Sequence, residues 1–153
     1  MLKNLNPLLT PELLYVLRAM GHGDELVLAD CNFPSDSIAA QTTYGSLIRL
    51  DGNTISEAAD AILSVFPLDS FVEFPVLFMQ VVGKPDEVLE VHNDFKKSVD
   101  SSSDRDWPIS SIERHAFYER AKKAYAVVST SERRPYGCFI LVKGVIGPDG
   151  NVI

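Results

Sequence analysis

Cysteine is scarce: Cys31 and Cys138 are the only two in 153 residues. Two cysteines close one bridge at most, so no disulfide framework supports this chain, and free thiols in a cytoplasmic protein are the expected state. Basic residues are outnumbered, with 14 Lys and Arg against 21 Asp and Glu and a formal net charge of −7. That excludes the clustered basic face which nucleic acid requires, and it leaves little to hold an anionic membrane surface. No apolar run approaches the roughly 18 residues that span a bilayer. The opening stretch MLKNLNPLLTPELL is interrupted by Pro7 and Pro11, and no secretion signal is expected there. Also missing are a glycine-rich phosphate loop, a Cys or His pair at zinc spacing, and a serine in a nucleophile elbow.

What is present suits one globular domain over residues 1–153. Hydrophobic residues make up 46% and charged residues 23%, enough at this length to build a core without staples. Thr10, Pro11 and Glu12 signal a helix start, and Leu13, Val16, Leu17 and Met20 share one face, with Gly21 as a left-handed stop. Glu25–Ala29 reads as a buried strand delivering Asp30 at its carboxyl end. Further strands are expected at Ser46–Leu50, Pro75–Val82, Tyr125–Ser129 and Cys138–Val142. Helices are expected at Ile55–Phe66 behind a Thr54 cap, at Asp86–Val99 with Val88, Val91, His92 and Phe95 on one face, and at roughly His115–Ala124. The serine-rich segment Asp100–Asp106 reads as an exposed loop. Alternating strands and helices predict an α/β fold, a sheet covered by helices.

Four groups of residues are candidates for chemistry. His22 sits between Gly21 and Gly23, where little bulk shields it, and imidazole titrates near neutrality. The same spacing also fits a helix stop followed by an idle loop histidine. Asp30 lies at the carboxyl end of a buried strand, where α/β folds place ligands, although turn-initiating aspartates are common. Arg114 and Tyr118 are four apart and meet on one helix face, or form part of a charged surface on which Glu119 pairs with Lys123. Tyr136-Gly137-Cys138 enters the last strand with a glycine that permits close approach, or is an ordinary turn after Pro135. His92 and His115 fall inside expected helices and read as packing or solvent-facing residues.

Taken together, several blocks resemble the fucose mutarotase/ribose pyranase family: LLTPELL, MGHGDELVLADCNFP, Arg49-Leu50-Asp51-Gly52, Phe66-Pro67-Leu68-Asp69-Ser70, IERHAFYERAKKAYAVVSTSE, Tyr136-Gly137 and Lys143-Gly144-Val145. They run in order across nearly the whole chain, and IERHAFYERAKKA looks like the fucose branch. The resemblance implies a three-layer α/β/α fold and an isomerase that exchanges the α and β anomers of L-fucose without metal or cofactor. It implies His22 as the catalytic residue and Asp30, Arg114, Tyr136, Gly137 and Cys138 as sugar-binding residues. It also implies a homo-oligomer, a ring-like decamer. Cys138 stands where the family usually has asparagine, so an amide that donates and accepts hydrogen bonds is lost. Other readings are a ribose pyranase-type or other-sugar mutarotase, and a non-catalytic sugar-binding accessory of a transport system.

The expected placement carries a tension. His22 and Asp30 are eight residues apart with a strand between them, up to roughly 26 Å if extended at about 3.3 Å per residue. Either the Gly21–Glu25 segment folds back, or one site combines residues of two subunits.

Overall fold

The computed structural model describes residues 2–153. The elements follow as α1 (Pro11–Ala19), β1 (Glu25–Ala29), α2 (Ser35–Ala39), β2 (Leu47–Leu50), α3 (Ile55–Leu63), β3 (Val76–Met79), α4 (Glu90–Ser101), β4 (Ile109–Ile112), α5 (Arg114–Ala121), β5 (Ala126–Thr130) and β6 (Phe139–Val142).

Local chemistry sets the first unit. The Thr10 side chain accepts the Leu13 amide and Pro11 occupies the first turn of α1, which satisfies one orphan donor where proline has none to lose. Gly21 is not the left-handed stop expected from its position. Met20 leaves the helix with φ −57° and ψ 139°, and the positive φ, 82°, falls on Gly23. The cause is a turn over residues 21–24: the Asp24 amide donates to the Gly21 carbonyl at 3.2 Å, and the Gly21 amide to Asp24 Oδ2 at 2.7 Å. A turn of this kind with positive φ at its third residue favours glycine there, and it presents His22 at its second position. Lys143 Nζ donates to the Leu17 and Met20 carbonyls at 2.6 and 2.5 Å, placing a cation on the orphan carbonyls at the negative end of α1.

The six strands form one sheet in the order β2-β5-β1-β6-β3-β4. β1 pairs parallel with β5, β5 with β2, and β3 with β4, while β6 runs antiparallel to both β1 and β3. Five strands therefore share one direction, and their carboxyl ends lie at one edge together with the start of β6. The opposite edge carries the starts of the five and the end of β6.

Alternation along the strands fills two cores. Leu26 and Leu28, with Ile48, Val128 and Leu141, face α1, α3 and α4 through Leu13, Val16, Ile62, Val91 and Phe95. Val27 and Ala29, with Val127 and Ile140, face α2 and α5 through Ile38, Phe117 and Ala121. The result is the expected three-layer α/β/α arrangement. Two elements were not anticipated, the five-residue α2 and the edge strand β4. α4 begins at Glu90 rather than Asp86, because the Leu89 amide is taken by His92 Nδ1 at 3.1 Å and the chain before it is a turn; Val88, expected on the buried face, is exposed. Glu119 pairs with Lys122 at 2.6 Å instead of with Lys123. Of the expected loop Asp100–Asp106, Asp100 and Ser101 belong to the last turn of α4, and only Ser102 to Asp106 form an exposed loop.

Candidate functional site

The carboxyl edge gathers five of the six candidate residues. Asp30 follows β1 and is buried. Its Oδ1 accepts the amides of Asn32 and Phe33 at 2.9 and 3.0 Å. Its Oδ2 accepts the Gly137 amide at 3.0 Å and the Cys138 thiol at 3.5 Å. One carboxylate thus closes its own turn and ties it to the entrance of β6, with its roughly four acceptor positions engaged. Cys138 is 1% exposed, and burial, reinforced by the Asp30 carboxylate, holds its thiol well above the ordinary range. It is a neutral, buried donor.

Arg114 opens α5, one residue after Glu113, whose carboxylate accepts the His115 and Ala116 amides at 2.8 and 3.0 Å. That cap starts the helix one residue earlier than the sequence suggests. Arg114 Nε is buried and has no hydrogen-bond partner among the described residues. An unmet buried donor costs about 1–3 kcal/mol. The Asp30 turn and α5 are joined by Phe33, whose ring meets Phe117 at 5.8 Å and Tyr118 at 5.4 Å.

Tyr136 adopts φ 62°, a left-handed conformation that costs a non-glycine residue about 1–2 kcal/mol. Its carbonyl lies 3.0 Å from His92 Nε2, and its hydroxyl 3.3 Å from the Val82 amide. The loop before it is fixed by Glu132, which takes two side-chain hydrogen bonds from Arg134 at 3.0 and 2.9 Å. Arg134 in turn reaches Asp94 on α4 at 2.7 Å. The Arg134 guanidinium holds the Glu132 carboxyl below its usual range.

His92, read from sequence as a packing or solvent-facing residue, is buried between Phe78 and Phe139, at ring distances of 4.2 and 6.1 Å. Its hydrogen bonds and ring contacts are all to uncharged groups. Burial pushes its pKa below the ordinary 6.5. The unfolded chain therefore binds this proton at a higher pH than the folded one. The contribution to stability is complete above about pH 6.5 and is lost as pH falls from there toward the folded value. His92→Gln should remove this component. Urea midpoints of the native protein and the variant, compared at pH 7.5 and 5.5, should converge toward the acid side. A constant difference between them would disprove the titration.

His22 stands apart from the others, at the opposite edge. Its Nε2 lies 3.1 and 3.2 Å from the two oxygens of Asp69, and its ring meets Phe71 at 5.3 Å. Asp69 is held by its own amide, which donates to the Val142 carbonyl at 3.0 Å. Its side chain also accepts the Phe71 amide at 3.0 Å. Gly144 lets the Leu68–Asp69 backbone come this close, since a Cβ at that position would strike the Leu68 carbonyl. The His22 side chain is 48% exposed and that of Asp69 2%. An ionised carboxylate only accepts, so Nε2 carries the proton and Nδ1 is left for other chemistry. The 21–24 turn does not carry His22 back toward Asp30: β1, five residues or roughly 17 Å, separates them. Sequence reasoning noted Asp69 only within a matching block. Its partnership with His22, across 47 residues, has no local signal.

A cavity of about 470 Å³ opens beside Asp30, between α2, β2 and the end of β5, and is lined by hydroxyls including those of Ser35, Ser129 and Thr130. His22, Arg114 and Tyr136 do not line it. Among the described residues no cluster of His, Cys, Asp or Glu is placed to hold a metal ion, and no helix is long and apolar enough to cross a membrane.

Known proteins resemble this chain over nearly its whole length. The model of the RbsD / FucU transport protein family matches residues 3–146. The fucose mutarotase of Danio rerio is 45% identical, over 97% of this chain and 96% of that protein. The fucose mutarotase of Streptococcus pneumoniae, solved in complex with L-fucose, superposes with a TM-score of 0.85 at 42% identity, covering 95% of this chain and all of that one. Bacillus subtilis RbsD, solved with D-ribose, superposes at 0.72 with 22% identity, a likeness of fold alone. By a match of this extent, the chain belongs to the RbsD / FucU transport protein family.

Proposed function

We propose that this protein is a cytoplasmic isomerase that interconverts the α and β anomers of L-fucose by acid–base opening and reclosure of the sugar ring. The observation that carries this is the His22–Asp69 pair: a half-exposed imidazole whose Nε2 is held by a buried carboxylate, so that Nδ1 is the nitrogen left for the sugar. The fucose mutarotase relative at 45% identity and the L-fucose complex at 42% support the choice of sugar.

The chemistry needs one proton delivered and one removed. Nδ1–H of the imidazolium donates to the ring oxygen as the bond from that oxygen to C1 breaks. The anomeric hydroxyl releases its proton to water and becomes the aldehyde oxygen. Rotation about C1–C2 and the reverse steps close the ring on the other face. Asp69 holds the ring through Nε2 and so fixes which nitrogen faces the sugar. Arg114 offers its unpartnered Nε–H to a sugar hydroxyl, and Tyr136 and Gly137 orient the ring. A thiol is a weak donor, so a sugar hydroxyl can displace Cys138 from Asp30 and bring that carboxylate into contact with the substrate.

We further propose that each site is shared between two subunits of a homo-oligomer, with a decamer as the expected size. The two halves lie at opposite ends of β1, and each is flanked by exposed apolar side chains: Phe71 and Val72 beside His22, Val82 and Val88 on the segments near Tyr136.

Saturation-transfer NMR of the protein with L-fucose, D-ribose and other reducing sugars tests the activity. Exchange above the blank for L-fucose supports the proposal, and line broadening without faster exchange would mean a binding protein only. Asp69→Asn keeps the shape but removes the carboxylate charge beside Nε2. It should lower kcat by roughly 10²-fold with little change in KM; an unchanged kcat would remove Asp69 from the mechanism.

A further inference from the structure

His92 is not one of the residues just given a role, yet it touches one of them at its most constrained point. Its environment defines its tautomer. Nδ1 accepts the Leu89 amide at 3.1 Å, so in the neutral ring Nε2 carries the proton and donates it to the Tyr136 carbonyl at 3.0 Å. The ring is 4% exposed and is held at 4.2 Å from the Phe78 ring, so it has little room to turn away. Tyr136 is one of two non-glycine residues with positive φ among those described. A strained backbone of this kind persists where its surroundings over-determine it. Three contacts do so here. Asp30 takes the amide of the next residue, Gly137; the Val82 amide donates to the hydroxyl; and His92 holds the carbonyl. Of these, the contact to His92 is the one that acts directly on the Tyr136 main chain.

We propose that His92 is a positioning residue: by donating to the Tyr136 carbonyl it keeps that backbone left-handed, and so sets where Tyr136 and the Gly137 backbone meet the sugar. This rests on the L-fucose reading for its consequence in activity, but not for its consequence in structure. The relevant class of ligand is the same monosaccharide, and the effect belongs to binding rather than to proton transfer, since His92 reaches neither His22 nor Asp69.

Two substitutions separate the two hydrogen bonds of the ring. An asparagine amide can replace Nδ1 at the start of α4 but is too short to reach Tyr136. A glutamine amide extends far enough to replace Nε2. Crystal structures of His92→Asn and His92→Gln give the Tyr136 φ directly, and anomer exchange against L-fucose concentration gives KM and kcat. For His92→Asn we expect Tyr136 to leave the left-handed region and KM to rise about tenfold with kcat within about threefold. For His92→Gln we expect both to stay near the native values. A native Tyr136 φ and native KM in His92→Asn would overturn the proposal. So would equal damage in both variants, which would mean that the ring only fills space. If the native protein does not exchange L-fucose anomers, the activity reading fails by itself, and the Tyr136 φ in the two variants still decides whether His92 sets that backbone.

Discussion

Replacement of His22 by alanine is expected to lower kcat for L-fucose anomer exchange by at least about a hundredfold, because a positioned acid–base group contributes about 10²–10⁴ to such a rate. The fold should be nearly indifferent. His22 is half exposed and sits on a turn whose shape is set by Gly23 and Asp24, not by the imidazole. What the substitution removes is the Nε2–H shared between the two oxygens of Asp69, whose side chain still accepts the Phe71 amide. KM should change little, since the residues proposed to bind sugar lie at the other edge of the sheet. His22→Gln is the sharper control. Its amide extends to the position of Nε2, so it can donate to Asp69, but an amide does not titrate near neutrality, so it should be as slow as alanine. Exchange at the native rate in either variant, measured by saturation transfer at several sugar concentrations, would remove His22 from the chemistry.

The sequence made this residue visible only through its neighbours. A histidine between two glycines is equally an idle loop residue, and what raised it was the ordered run of blocks across the chain. Elements marked by local chemistry were legible. The Thr10 cap and Pro11 start α1, and Thr54 starts α3, where the Glu57 carboxylate completes the reciprocal bond to the Thr54 amide. The run of apolar residues in β1 announced a strand buried on both faces. Features made by long-range contacts were not legible. β4 is a serine-bearing edge strand of four residues, half covered on every residue, and lacks the apolar run that marks β1. Gly21 looked like a helix stop because its neighbour Met20 completes the apolar face, but the Asp24 side chain captures the Gly21 amide and moves the positive φ to Gly23. Asp69 and His92 act through partners 47 and 44 residues away, beyond the reach of any helical or strand period. Cys138 was expected to alter the sugar pocket by losing an amide. Its side chain lies in the core and donates to Asp30, so in the proposed site it acts on the sugar through that carboxylate.

The proposed division of the site between subunits makes a prediction of similar size and opposite sign. His22→Ala and Arg114→Ala subunits should each assemble into an inactive oligomer, the first without its acid and the second without the guanidinium at the carboxyl edge. If a site takes His22 from one subunit and Arg114 from its neighbour, mixed oligomers regain activity. A site is intact when its histidine comes from an Arg114→Ala subunit and its arginine from a His22→Ala subunit. Random equal mixing therefore restores about a quarter of the native sites, a gain of tens of fold over either parent. If instead the site lay within one chain, every subunit would carry one lesion and the mixture would stay at the level of its parents. Co-expression with two different tags, tandem purification and saturation-transfer NMR distinguish the outcomes. Within one chain a compact site is disfavoured by the register itself. Glu25 pairs with Val142 and Leu28 with Phe139, so His22 lies past one end of the β1–β6 ladder and Asp30, with Tyr136 and Gly137, past the other. No rotamer of a histidine spans the length of β1, and the Lys143 backbone binds the His22 turn to its own edge, accepting the Gly23 amide at 2.8 Å and donating to the Asp24 carbonyl at 2.9 Å. In the proposed arrangement the second half of the site comes from another copy of the chain, and the exposed Phe71 and Val72 beside His22 offer the apolar surface on which that copy can rest.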